Sequence, residues 1–154
     1  ERAREVMHSG GAGPFGVVAL IVVLGVQALA LGELAEARAW IAIVTAVAVG
    51  RVAVVLACRH GVPPAAGSSF GTLVAGSVRP VVLVGWAVAA TAASALVSPA
   101  LPWLGPAAVL AALALSVLFV RHCVARFGGL NGDVLGAALE GSVALVAVVA
   151  ACAL

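Results

Sequence analysis

Residues 101–154 read LPWLGPAAVLAALALSVLFV, RHCVARFGGLNGD and VLGAALEGSVALVAVVAACAL, and this stretch decides the fold. Its first block, Leu101 to Val120, carries no charge. Its last, Val134 to Leu154, carries one, Glu140. A membrane-crossing helix needs about 20 predominantly apolar residues, and each block supplies that length. The polar break between them holds Arg121, His122, Arg126 and Asp133, with glycines at 128, 129 and 132 that separate one helix from the next and admit close backbone approach. Pro102 and Pro106 fall near the start of the first block, where a helix tolerates proline best.

Working outward, three more runs have the same character: Phe15 to Leu31 without charge, Ala39 to Ala57 with Arg51 alone, and Val81 to Val97 without charge. None alternates with period two, which argues against a β-barrel. The expected fold class is therefore all-α, a polytopic transmembrane helical bundle of about five spans, forming a single integral-membrane domain over residues 1–154. The chain opens on Glu1 within a charged, helix-prone stretch and reads as the C-terminal part of something longer. Composition agrees: 64% of the 154 residues are hydrophobic and 9% charged, with mean hydropathy +1.26, against about 45–50% and 25% in soluble domains. That excludes a soluble globule, a disordered segment and a nucleic-acid binder. Cys58, Cys123 and Cys152 lie far apart with no C-x-x-C pair, so neither a metal cluster nor a disulfide framework is indicated.

The placement of charge sets orientation. All eight basic residues are arginine. Arg2, Arg4, Arg59, Arg79, Arg121 and Arg126 fall on alternate connections, whereas the loop after the first run carries Glu33, Glu36 and Arg38, and Ser98-Pro99-Ala100 carries nothing. By the positive-inside rule the N-terminus, loop 58–80 and loop 121–133 face the cytoplasm. Trp40, Trp86 and Trp103 near the span ends read as interfacial anchors, Trp86 somewhat inside its span.

Within that frame a few residues can carry chemistry. Asn131 or Asp133 can cap the last helix. Asp133, Gly136 and Glu140 share one helix face, the two carboxylates about 10 Å apart along the axis. A carboxylate at the membrane surface, a second two turns deeper and small residues between them can hold a divalent cation and phosphate oxygens; a turn with a helix cap is the plainer reading of Asn131-Gly132-Asp133. Intramembrane charges are costly, about 2.5–3.5 kcal/mol on insertion scales, so Arg51 and Glu140 are either functional or a buried pair. Arg51, Arg59 and Arg126 together would make a guanidinium cradle for a pyrophosphate, or Arg59, Arg79, Arg121 and Arg126 serve topology and anionic lipid alone. His8, His60 and His122 fit no metal-ligand spacing and read as solvated interfacial residues. Gly61 to Gly71 is too rich in proline and glycine for a helix and reads as a lid or a linker. No nucleophile elbow, phosphate-binding G-x-x-x-x-G-K-[ST] loop or H-E-x-x-H is present.

Gly128-Gly129-Leu130-Asn131-Gly132-Asp133-Val134-Leu135-Gly136-Ala137-Ala138-Leu139-Glu140 resembles the G-G-x-T-G-D-x-x-G-A-x-x-E segment of the cobalamin synthase family (adenosylcobinamide-GDP ribazoletransferases), with Asn131 in place of the usual Thr. Glu5-Val6-Met7 followed by Gly13-Pro14-Phe15-Gly16, and Gly50-Arg51 leading to Pro63, resemble two further family segments in the right order, although Ser9, Gly11 and Ala66 depart from them. The family's upstream Asp-rich segment is not in this sequence. The resemblance implies a bacterial inner-membrane, multi-pass transferase with its site facing the cytoplasm. It implies Mg2+-dependent joining of GDP-activated adenosylcobinamide to α-ribazole or its 5′-phosphate, with release of GMP. It implies that Asp133 binds metal and acts with Glu140 in catalysis. Arg51, Arg59, Arg126, Gly129, Asn131, Gly132 and Gly136 would bind substrate. The implied partners are the two substrates and the lipid bilayer, without nucleic acid and with a homo-oligomer left open. Two rivals remain at this stage. A CDP-alcohol phosphotransferase-like enzyme is opposed by the absence of D-G-x-x-D-x-x-A-R. A transporter or structural membrane subunit would use Arg51 and Glu140 as a pair or proton relay.

Overall fold

The structure, a computed structural model, describes residues 13–154. The N-terminal Arg2 and Arg4, His8, Ser9, Gly11 and the Glu5-Val6-Met7 segment lie outside the described residues. Six helices follow in order: α1 Pro14–Glu36, α2 Trp40–Ala57, α3 Ser69–Val74, α4 Pro80–Ser94, α5 Leu104–Phe127 and α6 Gly132–Ala151. The all-α expectation holds, and the fold is a polytopic helical bundle. Among the described residues four helices are long and apolar enough to cross a membrane: α1, α2, α5 and α6, with 23, 18, 24 and 20 residues.

The remaining expected span, α4, is shorter than the other four. Its apolar run continues to Val97, but the helix has 15 residues, about 22 Å against a hydrocarbon core of about 30 Å. Close packing at its end accounts for the stop. Ser94 is fully buried, its hydroxyl turns back to donate to the Thr91 carbonyl at 2.6 Å, and Gly105 of α5 lies directly against the Ser94 backbone, with no room for a Cβ. The chain then turns through 95–97 with N–H groups donating one turn back. The other boundaries shift less. The fourth run becomes a helix that begins at Leu104 and extends to Phe127, past Arg121 and Arg126. The expectation of no helix in 61–71 is corrected, because Ser68 caps a short helix starting at Ser69, accepting from the Gly71 N–H at 2.9 Å.

Helix α6 is the hub and packs on α1, α2 and α5. Its contact with α2 is close because Gly50 has no side chain; a Cβ there would stand 2.6 Å from Val143 Cγ2. One apolar cluster fills the middle of the bundle, around Ala46, Val49, Val109, Val143 and Ala147. A second, around Val62, Val120, Leu130, Val134 and Leu135, lies at one end. The outside is apolar too: α1 buries only Gln27, Ala30 and Leu34, leaving a shell of exposed Val, Leu and Ile that suits a lipid surround rather than water. Alternating helix directions bring loops 58–68 and 128–131 to the same end, where Pro64 and Leu130 pair as a parallel bridge. At the opposite end α1 turns into α2 through Arg38, held left-handed at φ 56°, with the Ala39 N–H closing on the Leu34 carbonyl at 2.8 Å.

Candidate functional site

The α5–α6 connection is built residue by residue. Gly128 ends α5 in the left-handed region, φ 87°, its N–H donating to the Val124 carbonyl at 2.8 Å; a Cβ would be strained there. The Leu130 N–H then donates to the Pro63 carbonyl at 2.8 Å, and the Ala65 N–H donates to the Leu130 carbonyl at 2.9 Å. Loop 61–68 is thereby tied to the hairpin. Asn131, extended at φ −134°, is the N-cap of α6: its Oδ1 accepts from the Val134 N–H at 2.9 Å. Its Nδ2 donates to Asp133 Oδ2 at 3.3 Å. One buried amide thus starts the helix and positions the acid in its first turn, where the helix dipole favours negative charge.

Facing this turn is the start of α3. A cleft of about 250 Å³ opens between residues 65–70 and Asn131, Gly132 and Asp133. Its polar groups are the Asp133 carboxylate, the Asn131 amide and the Ser68 and Ser69 hydroxyls. Next to the cleft, Gly71 packs against the Leu130 carbonyl and Ser68. Asp133 is exposed. A carboxylate, an amide and hydroxyls around open space can bind a hydrated cation or orient a phosphate or hydroxyl.

Asn131, Gly132 and Asp133 are therefore brought together in one cleft. Gly136 lies one turn below Gly132 on the same exposed stretch, and a Cβ at either would meet nothing within 4 Å. Gly129 differs: the room beside it is filled by the backbone of Pro64 and Ala65, so it is a close-packing glycine. Glu140 is outside the cleft walls. Gln27 of α1 clamps it, with Nε2 donating to Glu140 Oε2 at 2.8 Å and to the Glu140 carbonyl at 2.9 Å. Pairing of Arg51 with Glu140 is corrected. Arg51 donates to Val47, one turn back on its own helix, at 3.4 Å, and lines a separate groove between α2 and α4.

The expected guanidinium cradle does not assemble around the cleft, whose walls contain no arginine. Arg59 and Arg126 sit at the same end of the bundle but outside those walls. Arg59 Nη1 donates to the Leu56 carbonyl at 3.1 Å, and partial burial, then the neighbouring Arg121 charge, lowers its pKa. Arg126 is exposed in the last turn of α5. His60 and His122 are exposed, as expected, and among the described residues no three His, Cys, Asp or Glu side chains come close enough to hold a metal. Residues that sequence reasoning missed are Gln27, the single amide in a 23-residue apolar helix, and the serines opposite Asp133. Gln27's isolation was the available signal; the serines had none beyond membership of a proline-rich loop.

A family profile described as cobalamin-5-phosphate synthase matches residues 1–151. The chain belongs to that family. The adenosylcobinamide-GDP ribazoletransferase of Corynebacterium efficiens is 37% identical over 158 residues, covering 99% of this chain and 58% of the relative. That of Frankia casuarinae is 36% identical over 149 residues, covering 91% and 54%, and that of a Nocardioides species is 35% identical over 140 residues, covering 90% and 52%. The chain spans about half the length of the curated relatives it matches. No solved structure matches it. In a member of the cobalamin synthase family, the Gly128–Glu140 segment is thus the hairpin that builds one wall of the cleft and then descends as α6 into the bundle.

Proposed function

We propose that the chain forms part of a membrane transferase that joins GDP-activated adenosylcobinamide to α-ribazole or its 5′-phosphate, with the Asp133 cleft as the phosphate-handling part of its site. One observation carries the reading beyond family membership. The family-like segment converges on an exposed carboxylate held by a buried Asn131 cap, across from two serine hydroxyls. In the reaction, the ribazole hydroxyl oxygen bonds to the phosphorus on the corrinoid arm. The bridging P–O bond breaks, GMP leaves with the bridging oxygen, and the hydroxyl proton passes to a base. Such in-line displacement depends on positioning and charge neutralisation.

Asp133, pre-set by Asn131, orients the attacking hydroxyl as a hydrogen-bond acceptor, and it is the residue that would hold a cation facing the phosphate oxygens. Mg2+ is commonly held by one or two carboxylates with substrate phosphates and water completing the shell, a donor set that Asp133 with the neighbouring amide and hydroxyls fits. Bound there, the ion would neutralise phosphate charge. Ser68 and Ser69 donate to phosphate oxygens, and Gly132 and Gly136 leave the α6 face clear for a bulky substrate. Arg59 and Arg126, at the same end, attract the polyanion toward the cleft. The six arginines on alternate connections support a bacterial inner-membrane location with this end in the cytoplasm. The test is Asp133→Asn in the full-length protein reconstituted in liposomes. Turnover should fall at least about a hundredfold, the scale of losing one electrostatic contact to the transition state, with the helical spectrum unchanged. Wild-type turnover would remove Asp133 from the chemistry.

A further inference from the structure

Arg51 is left without a task by the cleft. It lies six residues before the end of α2, about 9 Å inside it, and its side chain is exposed to the outside of the bundle. The groove it lines holds about 430 Å³ between α2 and α4, walled by Val52, Val55, Trp86, Ala89 and Ala90 among others. The guanidinium is the one charged group in that wall. Its single hydrogen bond among the described residues, 3.4 Å to the Val47 carbonyl, leaves most of its five donors unused.

We propose that this groove is a binding site for one anionic phospholipid. Its acyl chain would lie against Val52, Ala89 and Ala90, and its phosphate would accept from the Arg51 guanidinium. Three observations converge. The groove is apolar along its length and cationic at one point, so the complementary ligand is an amphiphile with one negative head. Arg79, exposed as the N-cap of α4, adds a second positive charge at the start of that helix, outside the groove walls. Helix α4, with 15 residues, is about 8 Å shorter than the hydrocarbon core. A short helix draws the bilayer thin around itself, which brings the headgroup level nearer to Arg51, and the long exposed hydrogen bond to Val47 is one that a phosphate can replace as the side chain swings toward that end. Basic pockets between helices on the cytoplasmic side are known to take anionic headgroups. Trp86, about as far inside α4 as Arg51 is inside α2, supplies a reporter within the groove wall.

The experiment uses the full chain with Trp40→Phe and Trp103→Phe, so that Trp86 is the only tryptophan. The protein is placed in phosphatidylcholine vesicles containing brominated phosphatidylglycerol or brominated phosphatidylcholine at low mole fraction. Trp86 quenching should favour the anionic lipid about fivefold. Arg51→Gln should abolish that preference, and Arg51→Lys should retain most of it. Ala89→Phe, which fills the groove with both charges intact, should also abolish it, and keeps the proposal testable if Arg51→Gln does not fold. Equal quenching by the two lipids, or a preference that survives either Arg51→Gln or Ala89→Phe, would overturn the proposal.

Discussion

Replacing Gly129 with alanine tests how the cleft is held together. The added methyl would enter space filled by the Ala65 amide nitrogen and the Pro64 carbonyl group, all backbone. No side-chain rotation relieves that overlap, so loop 61–68 must withdraw from the hairpin. Two hydrogen bonds cross this contact, Leu130 N–H to the Pro63 carbonyl at 2.8 Å and Ala65 N–H to the Leu130 carbonyl at 2.9 Å. Losing them costs about 0.5–1.5 kcal/mol each, and overpacking adds about 1–3 kcal/mol. The smaller entropy of an unfolded alanine returns about 0.4–1 kcal/mol. The net destabilisation is about 1–6 kcal/mol, centred near 3, or roughly a 10 °C fall in Tm for a chain of this size. A thiol-reactive dye on the Cys152→Ser background reads it, since Cys58 and Cys123 are both buried beside the loop. Gly136→Ala is the control. It meets nothing within 4 Å and gains helix propensity, up to about 1 kcal/mol, so its Tm should hold or rise. A Gly129→Ala protein melting within about 2 °C of wild type would refute the tie between loop and hairpin, because the calculated loss exceeds that shift.

Gln27→Leu should destabilise by about 2–3 kcal/mol, because it leaves the Glu140 carboxylate inside a span without its donor; Glu140→Gln, which keeps a hydrogen-bonding partner, should melt near wild type in the same dye assay. Ser116 is buried with an unpartnered hydroxyl among the described residues, so Ser116→Ala should be neutral or stabilising by up to about 1 kcal/mol, and a clear loss of Tm would reveal a partner. Burial raises the Cys58 pKa, which favours the protonated thiol in the fold; stability from this group is present below the unfolded thiol range and declines as pH rises through the raised value. Maleimide should therefore label exposed Cys152 well before Cys58 at neutral pH, and equal rates by mass spectrometry would contradict the burial.

The helices were legible because lipid exposure demands long charge-free runs, and the arginine distribution alone places loops 58–80 and 121–133 at one end. The length of α4 was not legible. Its apolar run is long enough, and what ends it is the contact of Gly105 with the Ser94 backbone, a tertiary event with no local signature. The Asn131 cap was readable from its side chain and position. The partner of Glu140 was not, since periodicity within α6 says nothing about which of several neighbouring helices supplies the donor. Gly129 and Gly136 look alike in sequence; only the packing distinguishes a glycine pressed on backbone from one facing open space. Arg51 and Glu140 invite pairing as two lone intramembrane charges, yet α2 turns Arg51 toward α4 while α6 turns Glu140 toward α1.

The most direct test of the central claim is photo-crosslinking of a diazirine-bearing analogue of GDP-activated cobinamide to the full-length protein, with the labelled peptides mapped by mass spectrometry. Label on residues 65–70 and 131–133 is the predicted result. Label concentrated instead on the α2–α4 groove around Arg51 and Trp86, with the Asp133 cleft unmarked, would contradict it.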